Sequence, residues 1–306
     1  MEHDRSYDMV IVGGGPGGYT AALYAARAGM RVVVLEKLSA GGQMAMSHQI
    51  DNYPGFPEGI DGFELGMRMQ QQAERFGAKT KYAEVLQLQL EGEIKTVRTN
   101  EGSYQAKTVV LSTGANARSL GVAREQDMIG RGVGYCAHCD GMFYKGKTVA
   151  VVGGGNSAVA EALYLSRIAK EVILIHRRDS LRATQIYHKP LQEAANIRFV
   201  WNSEVAELLG EEVLSGIQVK NLVSGEVTQL DVQGLFVSIG RKPATALVKD
   251  QLTLDAAGYI MAGEDTKTNL PGVYAVGDVR TKELRQIVTA VADGAMAAHM
   301  AEQFLA

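Results

Sequence analysis

The chain has 306 residues, 46% of them hydrophobic, and a formal net charge of −3. That length suffices for two domains with full cores, and the composition is that of an ordinary soluble globular protein. The slight acidity gives no reason to expect nucleic-acid or membrane-surface binding. No apolar run reaches the ~18 residues of a membrane helix, and the short charged start, MEHDRSYD, offers no signal-peptide segment.

In chain order, VIVGGGPGGYTAALYAARAGMRVVVLEK from Val10 reads as a strand, a glycine turn, an Ala-rich amphipathic helix and a second apolar strand. Such a βαβ unit takes about thirty residues. It is followed by AGGQ (Ala40 to Gln43), NYPG, and the strand TVVLSTGA ending at Thr113 and Gly114. The cysteine pair of GYCAHCDGMFY comes next, expected at the start of a second domain and just before its first strand. From Ala150 the first unit recurs as AVVGGGNSAVAEALYLSRIAKEVILIHRR. Val12, Gly13, Gly14, Gly15, Ala22, Leu23, Tyr24, Arg27 and Val32 reappear in register as Val152, Gly153, Gly154, Gly155, Ala162, Leu163, Tyr164, Arg167 and Val172. Pro190 is expected to end or kink a helix in ATQIYHKPL. The strand GLFVSIG leads into GRKPAT, and LPGVYAVGDV delivers Gly277 and Asp278 to the end of a strand. A last helix is expected to begin near Arg285 and Gln286, with an N-terminus that favours negative charge.

The repeat implies an α/β fold of two Rossmann-like, three-layer dinucleotide-binding domains. Because the C-terminal strand and helix complete the first unit, the second domain is expected to be inserted in the first. The expected bounds are 1–116 with 245–306 for one and 117–244 for the other, with no Pro/Ser-rich linker at either crossing.

Gly13 and Gly153 allow the turn, Gly15 and Gly155 let a pyrophosphate approach the backbone, and Gly18 and Ala158 let the helix pack against its strand. The phosphates then meet free N–H groups at a helix N-terminus. A single such motif can be a plain glycine turn, but two in the right order argue for nucleotides. Glu36, about 20 residues beyond the first turn, can accept ribose hydroxyls. His176 holds the matching place in the second copy, followed by Arg177, Arg178 and Arg182, which suit a 2′-phosphate. The competing reading of those arginines is a solvated basic turn. The first half is thus expected to hold FAD and the second NADPH. Candidate FAD contacts are Gly13, Gly15, Pro16, Gly17, Gly18, Glu36, Lys37, Gly42, Gln43, Asn52, Thr113, Gly114, Gly277, Asp278, Arg285, Gln286 and Ile287. Candidate NADPH contacts are Gly153, Gly155, Asn156, Ser157, His176, Arg177, Arg178, Arg182 and Gly240.

Cys136 and Cys139 are the only cysteines. Two cysteines do not make a secreted disulfide framework, so a cytoplasmic location is expected. Half of a zinc site is a poor reading of the pair, because the other histidines (His3, His48, His176, His188 and His299) lack ligand spacing. A redox pair fits better: one thiolate is stabilised, and two electrons pass to a partner by thiol–disulfide exchange. No metal is expected.

The combination and order of GGGPGGYTAALYAAR, AGGQ, NYPG, CAHCDGMFY, GGGNSA, HRRDSLRA, LPGVYAVGDV and the RQ-initiated last helix resembles the low-molecular-weight bacterial thioredoxin reductases over nearly the whole chain. The resemblance implies NADPH-dependent reduction of thioredoxin, or a thioredoxin-like protein, through FAD and Cys136–Cys139. Because the cysteine pair and the nicotinamide must both reach the flavin, the inserted domain is expected to rotate about hinges near Gly114 to Arg118 and Gly240 to Thr245; a fixed structure with the two on opposite flavin faces is the alternative. The resemblance implies that Cys139 is the flavin-proximal sulfur, that Cys136 attacks the partner disulfide and that Asp140 is the general acid/base. It also implies a homodimer, and the chain starts directly at the flavin motif without an added thioredoxin-like region. His138 stands where the family often has Thr, and Glu36 where many members have no acid. A dithiol oxidase or reductase of a small disulfide and a non-catalytic flavin redox sensor are the alternatives.

Overall fold

The computed structural model describes residues 5–47 and 49–306. His3 and His48 lie outside the described residues, as do their sequence readings. The chain divides into two compact units, 1–116 with 242–306 and 117–241.

The first unit opens with β1 (Ser6–Val12), α1 (Pro16–Arg27) and β2 (Val32–Glu36). Pro16 sits at the start of α1, where its missing N–H costs nothing. Next come α2 (Gly62–Arg75), β3 (Lys79–Tyr82), β4 (Val85–Gln89), β5 (Lys95–Thr99) and β6 (Gly102–Leu111). The Asp61 side chain caps α2 by accepting from the Glu64 amide. The short β7 (Ala115–Ala117) leads into the inserted unit.

That unit contains β8 (Val133–Gly134), α3 (Ala137–Asp140), β9 (Thr148–Val152), α4 (Asn156–Ser166) and β10 (Glu171–Ile175). It continues with α5 (His188–Glu193), β11 (Ile197–Val200), β12 (Ser203–Leu209), β13 (Gly216–Asn221), β14 (Val227–Leu230) and β15 (Gly234–Val237). The return crossing is β16 (Arg241–Pro243), which pairs with β7. It is followed by β17 (Val273–Ala275) and α6 (Ile287–Leu305).

In the first unit the strand order is β3-β2-β1-β6-β5-β4, and β17 also pairs with β6. The pairs β3–β2, β2–β1, β1–β6 and β6–β17 are parallel, whereas β6–β5 and β5–β4 are antiparallel. The long β6 supports both neighbours, because β5 pairs with its first half and β17 with its last residues, Val109 to Leu111. β1 and β2 read as nearly unbroken apolar runs because both faces are covered. Met9, Ile11 and Val34 face Ala21, Ala25 and Ala297 of α1 and α6, while Val10, Val12 and Leu35 face Leu88, Val97 and Ile260. α1 and α6 approach so closely that a Cβ on Gly294 would stand 2.2 Å from the Gly17 carbonyl oxygen.

The inserted unit is built on an all-parallel sheet, β11-β10-β9-β15-β8, with a separate antiparallel sheet, β12-β13-β14. Val149, Val151 and Leu174 pack with α4 on one face. Ala150, Val152 and Ile173 pack with Val205, Ile217 and Val219 of the antiparallel sheet on the other.

The α/β class with two parallel-sheet units matches the sequence reading. Two local expectations need correction. The cysteine pair does not precede the inserted unit's first strand, because β8 comes before it and pairs with β15 through Val133 and Gly134. Pro190 neither ends nor kinks a helix. It lies in the first turn of α5, where no intrahelical donor is required of it.

Candidate functional site

The two glycine turns are built alike. Gly13 has φ +102°, and a Cβ there would stand 2.4 Å from the Ser112 carbonyl oxygen. Gly153 has φ +147° and would meet the Ser238 carbonyl oxygen at 2.3 Å. These positions are closed to any side chain. Gly15 and Gly155 are the opposite, since a Cβ at either would meet nothing within 4 Å. Each turn therefore has open space just where the helix N-terminus begins, which is the cradle a pyrophosphate needs. A Cβ on Gly18 would stand 2.1 Å from the Gly13 carbonyl oxygen, so its role is helix–strand approach.

What stands at the end of the second strand differs. In the first unit the Glu36 carboxylate accepts from the Gly14 amide at 2.7 Å and from the Leu38 amide at 3.0 Å, which holds it beside the turn. In the second unit the His176 ring lies where a Cβ on Gly154 would be, 2.3–2.4 Å from its atoms. Burial lowers the His176 pKa, and the charges of Arg182, Arg178 and Arg177 lower it further. The segment after β10 folds back on the turn, because Gly154 O accepts from the Arg182 and Ala183 amides at 2.7 and 3.1 Å. The Asn156 side chain accepts from the Thr184 amide at 2.9 Å. Arg177, Arg178 and Arg182 are exposed, and all three act as charges on His176 beside the turn.

Other candidates in the first unit are drawn into contact with one another. Asn52 donates to the Gln286 side chain at 3.0 Å, and Gln43 donates to the Ala115 carbonyl at 2.6 Å. Gly42 opens the short turn that carries Gln43. Thr113 donates to the Ala244 carbonyl at 2.9 Å, and Gly114 accepts from the Ala244 amide at 3.0 Å. Gln286 caps α6 in a reciprocal box with Thr289, so Ile287 is the first helical residue. The Arg285 guanidinium lies over the Tyr259 ring at 4.1 Å, and its Nε is buried without a partner. Lys37 points to Glu84, with which it pairs at 2.7 Å on the surface. Gly240 carries φ +107° at the crossing, and its carbonyl accepts from the Arg118 amide.

Cys136 and Cys139 are joined as a disulfide. Cys136 is the residue before α3, and its carbonyl accepts from the Cys139 and Asp140 amides at 3.1 Å each. The His138 ring stacks on Tyr164 of α4 at 4.4 Å, and burial lowers its pKa. Asp140 Oδ2 approaches Gly134, where a Cβ would stand 3.2 Å away.

Sequence reasoning missed several buried polar groups around these sites. Asp293 accepts from the Gly277 amide at 2.8 Å, from Arg280 at 2.7 and 2.9 Å and from Lys282 at 2.7 Å, which ties the Gly277–Asp278 turn to α6. Tyr135 donates at 2.6 Å to Glu125, whose carboxylate also accepts from the Leu120 and Gly121 amides. Glu161 on α4 was also unforeseen. Each partner is distant in sequence or is a backbone amide, so no spacing signals it.

A sheet-based pair of nucleotide-type turns with one redox-type disulfide defines a flavin- and nicotinamide-linked disulfide oxidoreductase. The profile described as pyridine nucleotide-disulphide oxidoreductase matches residues 7–294, and the chain belongs to that family. It is similar to thioredoxin reductase of Streptomyces coelicolor, at 46% identity over 98% of this chain and 94% of that protein. It is 43% identical to a bifunctional thioredoxin reductase/thioredoxin of Mycobacterium leprae, over 99% of this chain and 67% of that protein. Among solved structures, thioredoxin reductase from Streptococcus pyogenes superposes with a TM-score of 0.91 at 43% identity, covering 99% of both chains.

Proposed function

We propose that this chain is an NADPH-dependent flavoprotein that reduces the disulfide of thioredoxin through Cys136 and Cys139. The observation that carries the reading is the paired turn. Two open cradles of one design are followed by a carboxylate in one case and by a histidine with three arginines in the other. The first set (Gly13, Gly15, Pro16, Gly17, Gly18, Glu36, Lys37, Gly42, Gln43, Asn52, Thr113, Gly114, Gly277, Asp278, Arg285, Gln286 and Ile287) holds FAD in this reading. The second (Gly153, Gly155, Asn156, Ser157, His176, Arg177, Arg178, Arg182 and Gly240) holds NADPH. FAD supplies two-electron exchange between a nicotinamide and a disulfide.

The chain's own residues then do the sulfur chemistry. Cys139 takes electrons on the flavin side, Cys136 attacks the partner disulfide, and Asp140 gives a proton to the departing thiolate. A fused thioredoxin in the Mycobacterium leprae relative supports thioredoxin as the partner. The reading includes rotation of the 117–244 domain about its two crossings, where Gly114 and Gly240 both hold positive φ. It also includes a homodimer in the cytoplasm; among the described residues no helix is long and apolar enough to cross a membrane.

The test is steady-state NADPH oxidation with a panel of oxidised thioredoxins and small disulfides. Turnover with a thioredoxin, lost in both Cys136→Ser and Cys139→Ser while FAD is retained, is the expected result. Turnover with small disulfides only, or none with any partner, defeats it.

A further inference from the structure

Glu161 is a partly buried residue with one fully buried carboxyl oxygen, and the reaction above does not use it. It sits on α4 behind the redox turn, and it is held from three directions. The Ala137 amide and the Ser238 hydroxyl donate to it, and Arg241 acts on it as a charge. One of its oxygens, Oε2, is fully buried and has no hydrogen-bond partner. Ala137 lies within the Cys136–Cys139 loop, so the carboxyl is one peptide group away from the redox pair. Ser238 follows β15, and its carbonyl is the atom against which Gly153 packs. A single carboxyl therefore touches the loop of the cysteines, the helix after the second glycine turn and the strand end that leads to the return crossing.

Burial is the largest influence on this group and pushes its pKa up to about 7; the Ala137 and Ser238 hydrogen bonds and Arg241 oppose that shift. Titratable groups on the elements packed against its helix include Cys136, His138, Cys139 and Asp140 from α3 and its flank, Glu171 on β10, Tyr187, Lys189 and Glu193 near α5, and Tyr164 on its own helix. His138 is stacked on Tyr164, and burial disfavours its charged form. The charge of Arg241 favours the Glu161 carboxylate.

We propose that Glu161 is a positioning residue that takes up a proton when the Cys136–Cys139 disulfide is reduced, so that the charge of this carboxyl is linked to the redox state of the pair. The proposal rests on the redox role assigned to that pair above. The balance is as follows. Two electrons break the S–S bond, one sulfur takes a proton, and the other remains as thiolate. With Glu161 still ionised, the cluster would gain one negative charge beside those of Glu161 and Asp140. Placing a second proton on Glu161 leaves the net charge of the cluster unchanged, so two electrons enter with two protons. The low local dielectric makes the alternative unfavourable, because an added anion there is poorly screened. The unpartnered Oε2 is the atom able to carry that proton. When the sulfurs are reoxidised by the partner disulfide, the same proton is released.

The sign follows directly. Reduction raises the proton affinity of Glu161, so the reduced state binds more protons and low pH favours reduction. Replacing the carboxyl by an amide removes this contribution and leaves an acceptor for the Ala137 amide.

The test uses the full FAD-loaded chain, without NADPH or thioredoxin. Wild type and Glu161→Gln are equilibrated with mixtures of oxidised and reduced dithiothreitol, from roughly one pH unit below to one above the carboxyl's value. The oxidised fraction is read by alkylation and mass, since Cys136 and Cys139 are the only cysteines. The ratio of wild-type to Glu161→Gln reduction constants is expected to fall, by up to about tenfold per pH unit, as pH rises through the titration. Parallel curves overturn the proposal. Should Glu161→Gln fail to fold, infrared difference spectra of the wild type on reduction decide the matter. A protonated-carboxyl C=O band that grows supports the link, and its absence overturns it. Because no thioredoxin is present, this outcome is independent of whether thioredoxin is the partner.

Discussion

Replacing Arg177 and Arg178 together by alanine tests the assignment of NADPH to the inserted unit. Each guanidinium that meets a phosphate makes a charge-assisted hydrogen bond worth ~1.5–3 kcal/mol. Both side chains are exposed, so solvent and salt place them at the low end of that range. Two such contacts at about 1.5 kcal/mol each correspond to a loss on the order of a hundredfold in kcat/KM for NADPH. NADH lacks the 2′-phosphate and should change by no more than about twofold. The assay is kcat/KM for each nucleotide at low and at high ionic strength. The NADPH deficit should narrow as salt screens the wild-type contacts. His176 supplies a second readout in the free protein, because the arginines help to lower its pKa after burial does. Its pKa, followed by NMR, should therefore rise in the double variant. An equal loss for both nucleotides, or an unmoved His176, would refute the assignment.

Two further predictions follow from the same geometry. Gly15→Ala adds a Cβ to open space, so the chain should fold normally yet lose FAD, whereas Gly13→Ala, 2.4 Å from the Ser112 oxygen and at φ +102°, should cost at least about 1–3 kcal/mol of stability. FAD content and thermal melting separate these outcomes, and full FAD in a folded Gly15→Ala would contradict the cradle. Asp293→Asn leaves buried Arg280 and Lys282 without their carboxylate and should cost about 3–5 kcal/mol in denaturant unfolding. Burial alone would raise the Asp293 pKa, but the hydrogen bonds from Arg280 and Lys282 outweigh it and hold the value down. This group's stabilisation is thus present above the ordinary carboxylate range and lost as pH falls below it, so acid should destabilise wild type more steeply than Asp293→Asn.

The parts of the site that were legible in sequence are those fixed by local chain geometry. Glycines at set offsets, a strand before them and a helix after them are all written within thirty or so residues, and the register then points to Glu36 and His176. The antiparallel additions were not foreseen, although LQLQLEG and KTVRTNEG alternate as β4 and β5 require. β8 was invisible because two residues carry no periodicity, and its pairing with β15 joins positions a hundred residues apart. Pro190 misled because the same residue that stops a helix from within is tolerated in its first turn, and sequence alone does not give the phase. The buried polar groups were hidden for a different reason. Asp293, Glu125 and Glu161 look like ordinary surface acids until the fold supplies donors from distant strands and loops.

Two of those hidden groups, Glu125 and Glu161, lie beside a turn with little apolar packing of its own. α3 has four residues, is followed at once by a short 3-10 turn, and contributes only Ala137 to the inserted unit's core. Apolar packing of that size cannot fix the orientation of two sulfurs. The turn is held instead by directional contacts: the Cys136 carbonyl with two amides, Tyr135 with Glu125, His138 on Tyr164, and Glu161 at the Ala137 amide. Directional contacts suit a group that must exist in two covalent states. A hydrogen bond or a carboxyl proton can be exchanged as the sulfurs open and close, whereas a close-packed core would resist either state. The flavin-type unit is organised the other way. Its glycine turn leaves no room for side chains, since a Cβ on Gly13 would stand 2.4 Å from the Ser112 carbonyl oxygen and one on Gly18 2.1 Å from the Gly13 carbonyl oxygen. The glycine turn is thus fixed by close backbone packing and the redox turn by exchangeable polar contacts, and the polar groups beside the sulfurs are where altered pH dependence should concentrate.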